Sequence, residues 1–313
     1  MAEAQGLPLS TPERVRTGIL FMVGCSLIFA SLDSLAKVMG QHYPVLQIVW
    51  FRYTFHVLGM LVVFLPFMGR RMFQATNMRW QAGRGLILVV CTCLSFTGLR
   101  FMPLAEFTAI SFVTPLIVTL LASRFLGEKV SALRWGAVAL GFAGVLIIIR
   151  PGSGIFGWPA LIPLVMSCVY ASFQVLTRKY AGTDDPITTM LYSGMAGAIL
   201  ATLALPFNWK PPEPMHWPIL MLMGLMGGGG HLLLMLCFRR APASVLAPFS
   251  YAQLAFATLI GVLFLNHIPD RFSIIGMGVI ALAGLYAIGV QTWEDRRKRR
   301  ARPADEADVP MTD

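Results

Sequence analysis

Asp33 and Arg52 are the two side chains whose chemistry is most out of place, because each interrupts a long apolar run. An ionised residue left unpaired at the centre of a membrane helix costs about 2.5–3.5 kcal/mol on insertion scales, so each needs a reason to be there. One reason is structural: an ion pair between Asp33 and Arg52, or between Asp33 and Lys37 one turn on. The other is functional, with the two charges receiving the ammonium and carboxylate of a solute. At 1.5 Å per residue Asp33 lies about 9 Å and Arg52 about 12 Å from the same end of their segments, so both readings stay open.

Other polar groups in apolar stretches extend this set. Tyr170, Gln174, Tyr192, His231, Tyr251 and Gln253 supply hydrogen-bonding groups, and Trp50 offers a flat ring for stacking. With Asp33 and Arg52 they form the candidate substrate-binding residues. His56, one turn from Arg52, reads as a core residue. Glu106, just after Pro103 and near Arg100, suits either an interfacial ion pair or an outer gate that takes a proton. Pro115 and Pro248 should kink their helices. Gly228 sits in the run Gly227-Gly228-Gly229-Gly230, which suits a hinge or close backbone packing. Arg100, Glu106, Pro115, Gly228 and Pro248 are therefore the gating or coupling candidates.

Several chemistries are excluded. Cys91-Thr92-Cys93 has no nearby His or Cys to complete a metal site, and five cysteines inside apolar segments do not make a disulfide framework. No Gly-Lys-Ser/Thr phosphate loop, His-Glu-x-x-His or Gly-x-Ser-x-Gly stretch is present. No cofactor is expected.

The elements that must hold these residues are membrane helices. The 313 residues are 56% hydrophobic and 13% charged, about half the charge of a soluble domain. Mean hydropathy is +0.68. A span needs about 20 apolar residues. Ten such stretches occur, at 17–39, 44–68, 82–102, 104–124, 131–150, 157–178, 187–207, 217–238, 243–265 and 272–292. Residues 1–16 read as a polar N-terminal segment in which no cleavable leader is expected, and 293–313 as a basic, disordered tail.

The net charge of +10 is concentrated in short loops and this tail, which argues against a nucleic-acid partner. Lys37, Arg100, Arg150, Lys210 and Arg271 fall on the side opposite the N-terminus. Arg52 lies inside a span, and every other Lys and Arg falls on the N-terminal side. Both termini are thus expected in the cytoplasm. Six of the seven tryptophans sit at segment ends, at the headgroup level.

The chain also repeats itself. Phe29-Ala30-Ser31 to Lys37 aligns with Tyr170-Ala171-Ser172 to Arg178, setting Asp33 on Gln174. At an offset of 139, Ser111-Phe112 aligns with Ser250-Tyr251, and Phe125-Leu126-Gly127-Glu128 with Phe264-Leu265-Asn266-His267. The two copies would occupy 17–150 and 157–292. Five spans each is an odd number, so the copies should be inverted relative to one another, an arrangement that places polar residues at the repeat interface in transporters.

These residues resemble a known family. Pro103-Leu104-Ala105-Glu106, Pro115, Leu126-Gly127-Glu128-Lys129 and Gly141-Phe142-Ala143-Gly144 are similar to the first repeat of EamA-type permeases of the drug/metabolite transporter superfamily. Arg239-Arg240-Ala241-Pro242, Leu246-Ala247-Pro248-Phe249-Ser250-Tyr251 and Pro269-Asp270 are similar to the second. The resemblance implies a ten-helix bacterial inner-membrane carrier for small polar or amphipathic metabolites, such as amino acids, S-adenosylmethionine or flavins. His267 departs from the acidic residue common at that position in the family, which weakens a scheme in which both copies couple protons through that turn.

The expectation is an all-α membrane protein of ten helices that works as a secondary carrier by alternating access, and not as an enzyme. Its partners are the bilayer and a small metabolite, with the proton as candidate coupling ion and a homodimer left open. A lipid-modifying membrane enzyme would need a cluster of nucleophile, base and metal ligands. A channel should show rings of like charge. Neither pattern is present.

Overall fold

The computed structural model describes residues 12–126, 131–150, 157–179, 183–207, 209–241 and 243–300. Most of the N-terminal segment, the turn at Gly127-Glu128-Lys129 and the tail beyond Arg300 lie outside them.

The described residues are helical throughout, with no strand. In chain order the helices are α1 (Pro12–His42), α2 (Val45–Met68), α3 (Met78–Phe101), α4 (Leu104–Ser111), α5 (Thr114–Leu126) and α6 (Ala132–Ile149). Then come α7 (Leu161–Lys179), α8 (Pro186–Ala204), α9 (His216–Phe238), α10 (Ala243–Ser250), α11 (Ala252–Phe264) and α12 (Arg271–Arg300). Seven helical stretches are long and apolar enough to cross a bilayer, and Leu104–Val118, Trp135–Ile149 and Ala252–Phe264 are shorter apolar ones. The chain is a multi-pass membrane protein. Its outer face carries Phe67, Phe207 and Val62, while Gln47, Arg52, Glu106 and Ser167 are buried. That is the reverse of a soluble protein's distribution and fits a lipid solvent.

Two departures from the sequence reading concern helix ends. The stretches 104–124 and 243–265, expected as single kinked spans, are each broken in two. The first break falls at Phe112 and Val113, ahead of Pro115, which sits at the second position of α5 where its missing N–H is no loss. The second falls at Tyr251, three residues after Pro248, whose backbone stays within α10. The breaks thus occupy positions 139 apart, although the prolines do not. At the other end, α12 continues as helix to Arg300, past the expected boundary at 292.

Packing depends on close approach of helices at small residues. A side chain added at Gly194 or Gly197 of α8 would meet His56 or the Tyr53 ring of α2. On an adjoining face of α2, Gly224, Gly227 and Gly228 of α9 lie against Phe55, Arg52 and His56. So α2 is gripped between two helices through glycine notches that receive its large side chains. A Cβ at Gly141 would lie near Ala283, one at Gly144 near Ile280, and one at Gly276 near Ile148, so α6 and α12 pack antiparallel. Elements from the first 150 residues therefore interlock with elements from the rest.

Candidate functional site

Asp33, on the inner face of α1, is met by Gln253 from the second turn-forming half of the broken helix, with Nε2 donating to Oδ2 at 3.4 Å. That distance lies beyond the usual 2.7–3.2 Å, so the carboxylate is lightly held. Arg52 on α2 is 7% exposed. Its Nη1 donates to Thr92 Oγ1 at 3.3 Å, and its Nε has no partner. The guanidinium lies 4.9 Å from the Tyr53 ring centroid and 5.9 Å from that of Phe96. Among the described residues no ion pair within 4.0 Å joins Asp33 to Arg52 or to Lys37. Lys37 instead donates to the carbonyls of Leu99 and Met102 at 3.0 and 2.7 Å. Neither structural bridge expected from sequence is made, though Asp33 and Arg52 still act on one another electrostatically.

Around them stand several of the other candidates. Tyr170 on α7 stacks on Phe173 and is within electrostatic reach of Arg52 and Arg84. His231 on α9 meets the Phe29 ring edge-on at 5.1 Å and also lies within reach of Arg52. Tyr251 stacks on Phe112 with ring centroids 4.8 Å apart, so the two helix breaks touch through residues that the repeat makes equivalent. The Tyr251 hydroxyl lies over Gly284, where a Cβ would collide with it. Gln174 is half-buried on α7.

Others are placed elsewhere. Trp50 donates to Thr202 Oγ1 at 2.9 Å and meets Trp209 edge-on, on the α2–α8 side. Tyr192 is tied by its hydroxyl to the Phe73 carbonyl at 2.8 Å, at one end of the bundle. Arg100 is exposed and does not pair with Glu106. Pro115 is exposed. Gly228 is occupied with packing against His56.

The structure gives a place in the site to two residues that the sequence did not mark as candidates. Arg84, counted there as a loop charge, lies in α3 and closes one end of the bundle. Its Nε donates to Thr177 Oγ1 at 2.9 Å, its Nη1 to Ser193 Oγ at 2.6 Å and the Thr189 carbonyl at 3.1 Å, and it covers the Phe173 ring. Nearby, the backbone N–H of Thr76 at 2.6 Å holds the Asp184 carboxyl below the ordinary aspartate value. A charge next to Gly83 and Gly85 gave no sign in sequence that it would be buried among partners 93 to 109 residues away.

His267 is the second. α11 ends with Asn266 in the left-handed region at φ 51, a position Asn tolerates, and the His267 N–H returns to the Gly261 carbonyl at 2.9 Å. This turn delivers His267 Nε2 to Glu106 Oε1 at 3.0 Å. Glu106 is 1% exposed and its Oε2 has no partner.

The same end carries a third cross-connection, Arg150 Nη2 to Asp270 Oδ2 at 2.6 Å. Asp270 also caps α12 by accepting from the Ser273 N–H at 2.8 Å. That N–H, and then Arg150, hold its carboxyl below the ordinary aspartate value of 3.8, against the desolvation that raises it. A depressed carboxyl contributes stability that is complete above the unfolded value and is lost as pH falls through the folded one. Asp270→Ala is therefore expected to lower thermal stability at pH 7 by about 1 kcal/mol. The deficit should shrink once the pH drops below 3.8; thermal melts from pH 7 to pH 3 check this.

An apolar groove of about 330 Å³ lies apart from all of these, lined by Leu133, Tyr286, Gly289, Val290 and Trp293 at the α6–α12 seam. No group of three or more metal-ligating side chains occurs among the described residues.

The family model for the EamA-like transporter family matches twice, over residues 16–150 and 157–290. The chain belongs to that family. Asp33 and Gln253, Glu106 and His267, Arg150 and Asp270, and Phe112 and Tyr251 are accordingly contacts between the two EamA copies. The chain is 29% identical to a riboflavin transporter of Rhizobium johnstonii over 92% of its own length and 95% of the relative's. It is 26% identical to an S-adenosylmethionine uptake transporter of Rickettsia bellii, over 84% and 90%. It is 24% identical to a pseudopaline exporter of Pseudomonas aeruginosa, over 86% and 95%. A solved crystal structure superposes with a TM-score of 0.65 at 17% identity, covering 87% of this chain and 97% of the other, a likeness of fold alone. The chain is thus a transporter of the EamA family.

Proposed function

We propose that this EamA transporter is a secondary carrier of the bacterial inner membrane. It moves a small polar or amphipathic metabolite bearing an anionic group through a path lined by Asp33, Arg52, Tyr170, His231, Tyr251 and Gln253. The observation that carries the reading is Arg52: a buried guanidinium with no carboxylate on it, beside a carboxylate that Gln253 barely holds. An uncompensated buried charge costs several kcal/mol, and stacking on Tyr53 and Phe96 offsets only part of that. A bound anion completes the balance, while Asp33 faces the cationic or hydrogen-bonding end of the same solute.

The frame is ten spans in two inverted halves with both termini cytoplasmic. The antiparallel α6–α12 seam, the two matches to one family and the paired helix breaks support it. Uptake and export both occur among the relatives, so they leave direction open here. Their named solutes, riboflavin, S-adenosylmethionine and pseudopaline, set the range to test.

Saturable counterflow of labelled S-adenosylmethionine, which carries a carboxylate for Arg52 and cationic groups for Asp33, into preloaded proteoliposomes is the expected result. Linear, unsaturable entry would mark a pore and remove the carrier reading.

A further inference from the structure

The Glu106–His267 contact has three properties that do not belong to an ordinary interfacial pair. It joins the two family copies, Glu106 from the first and His267 from the second. It combines a carboxylate at 2% side-chain exposure with an imidazole at 35%, so one partner is sealed in and the other meets solvent. And Glu106 Oε2 is buried with no hydrogen-bond partner of its own.

We propose that Glu106 and His267 are a proton-binding latch between the two halves, the site at which a proton taken from the aqueous side holds that end of the transport path shut. The inference rests on the carrier reading above. The Nε2–H of His267 donates to Glu106 Oε1 whether or not Nδ1 is also protonated, so the hydrogen bond survives both states. What changes is charge: an imidazolium facing a buried carboxylate is held far more strongly than a neutral ring. Histidine is the side-chain type that most readily exchanges a proton with water near neutrality. The proton enters through the exposed ring and leaves the same way when the halves part.

The other charged and titratable groups on the surrounding elements have their own partners or are exposed, and Asp33 on α1 is met by Gln253. Lys37 on α1 acts electrostatically on Glu106, but its ammonium is bound to the carbonyls of Leu99 and Met102. Arg150 at the end of α6 is held by Asp270 at the start of α12. Arg100 on α3 and Arg271 on α12 are exposed. Tyr170 on α7 stacks on Phe173, and Tyr251 before α11 stacks on Phe112. His267 is therefore the titratable side chain in direct contact with Glu106.

Ser111 lies deeper than Glu106 on the same short helix α4 and is half-buried, so it reports whether the path behind the latch is open. The test uses the full chain in detergent with its native cysteines replaced, carrying Ser111→Cys and labelled with a polar maleimide. An Ile268→Cys protein, at a position 76% exposed, corrects for thiol reactivity at each pH. The corrected rate should fall from pH 8 to pH 6. His267→Gln and Glu106→Gln should each label roughly tenfold faster than the parent, with the pH dependence gone. An unchanged rate in His267→Gln, or a pH dependence that persists in it, overturns the proposal. Because His267 is half-exposed, that variant decides the matter even if Glu106→Gln does not fold. Counterflow is measured separately, so a failed carrier reading and a failed latch give different results.

Discussion

Arg52→Met is expected to abolish transport and at the same time to raise the melting temperature of the protein. The two effects have one cause. Arg52 is buried, donates to Thr92 at 3.3 Å, leaves Nε bare and feels Asp33 only beyond ion-pair distance, so the empty protein carries a charge that its own side chains neutralise only in part. Removing a buried charge that no ion pair holds relieves its desolvation cost, so an apolar side chain of similar volume is expected to stabilise the empty protein. The solute, however, loses the counter-charge that its anionic group meets. Flux should drop by roughly 100-fold or more, the scale on which truncating one member of a buried charge pair acts. Asp33→Asn keeps the shape and the contact with Gln253, and should lose flux without losing stability. A purely structural Arg52 would give the opposite pair of results: a lower melting temperature, with residual transport tracking the amount of folded protein. Differential scanning calorimetry and counterflow on the same preparations separate the two. Improved stability at the expense of activity is the signature of a binding residue.

Gly224→Ala and Gly229→Ala should move stability in opposite directions although they lie five residues apart on one helix. A Cβ at Gly224 would stand 2.9 Å from the Phe51 carbonyl and 3.0 Å from the Phe55 Cα, so relief requires α2 and α9 to separate. Overpacking of this kind costs about 1–3 kcal/mol, and backbone contacts place this case at the upper end. At Gly229 nothing lies within 4 Å, so alanine only removes conformational freedom from the unfolded chain and adds about 1 kcal/mol of helix propensity. If Gly229→Ala instead leaves stability unchanged but slows counterflow, that glycine acts as a flexible joint. The run of four glycines therefore divides by neighbour: Gly227, Gly228 and Gly230 are notches for Arg52, His56 and Phe29, and only Gly229 is free of contact.

How much of this was legible in the sequence follows from which interactions are local. Helices, their apolar character and the family were readable, because each rests on composition and on motifs within one segment. The approach of Asp33 to the second copy followed from its position in the repeat, although the residue it meets is Gln253 and not its own counterpart Gln174. Glu106 was flagged, but its partner was sought at Arg100, six residues away, when the fold supplies His267 from 161 residues downstream. His267 was noticed only as a departure from an acidic pattern. Arg84 was counted with the loop charges because a polar N-terminal turn and a helix buried among partners look alike until α7 and α8 are packed on it. Sequence spacing ranks neighbours along a helix, and these pairs are set by which helices the glycine notches bring together.

The stacked rings of Phe112 and Tyr251 carry a consequence for ancestry, on the proposed inverted-repeat frame. A residue that touches its own counterpart sits on the axis relating the two halves. In an ancestor made of two identical chains, that spot would have been one aromatic meeting itself across a dimer. Fusion into a single gene frees the two positions to drift apart, and here they differ by one oxygen, which Tyr251 directs over Gly284. Such a difference at the centre of symmetry means that two halves of common origin need not open by equal amounts.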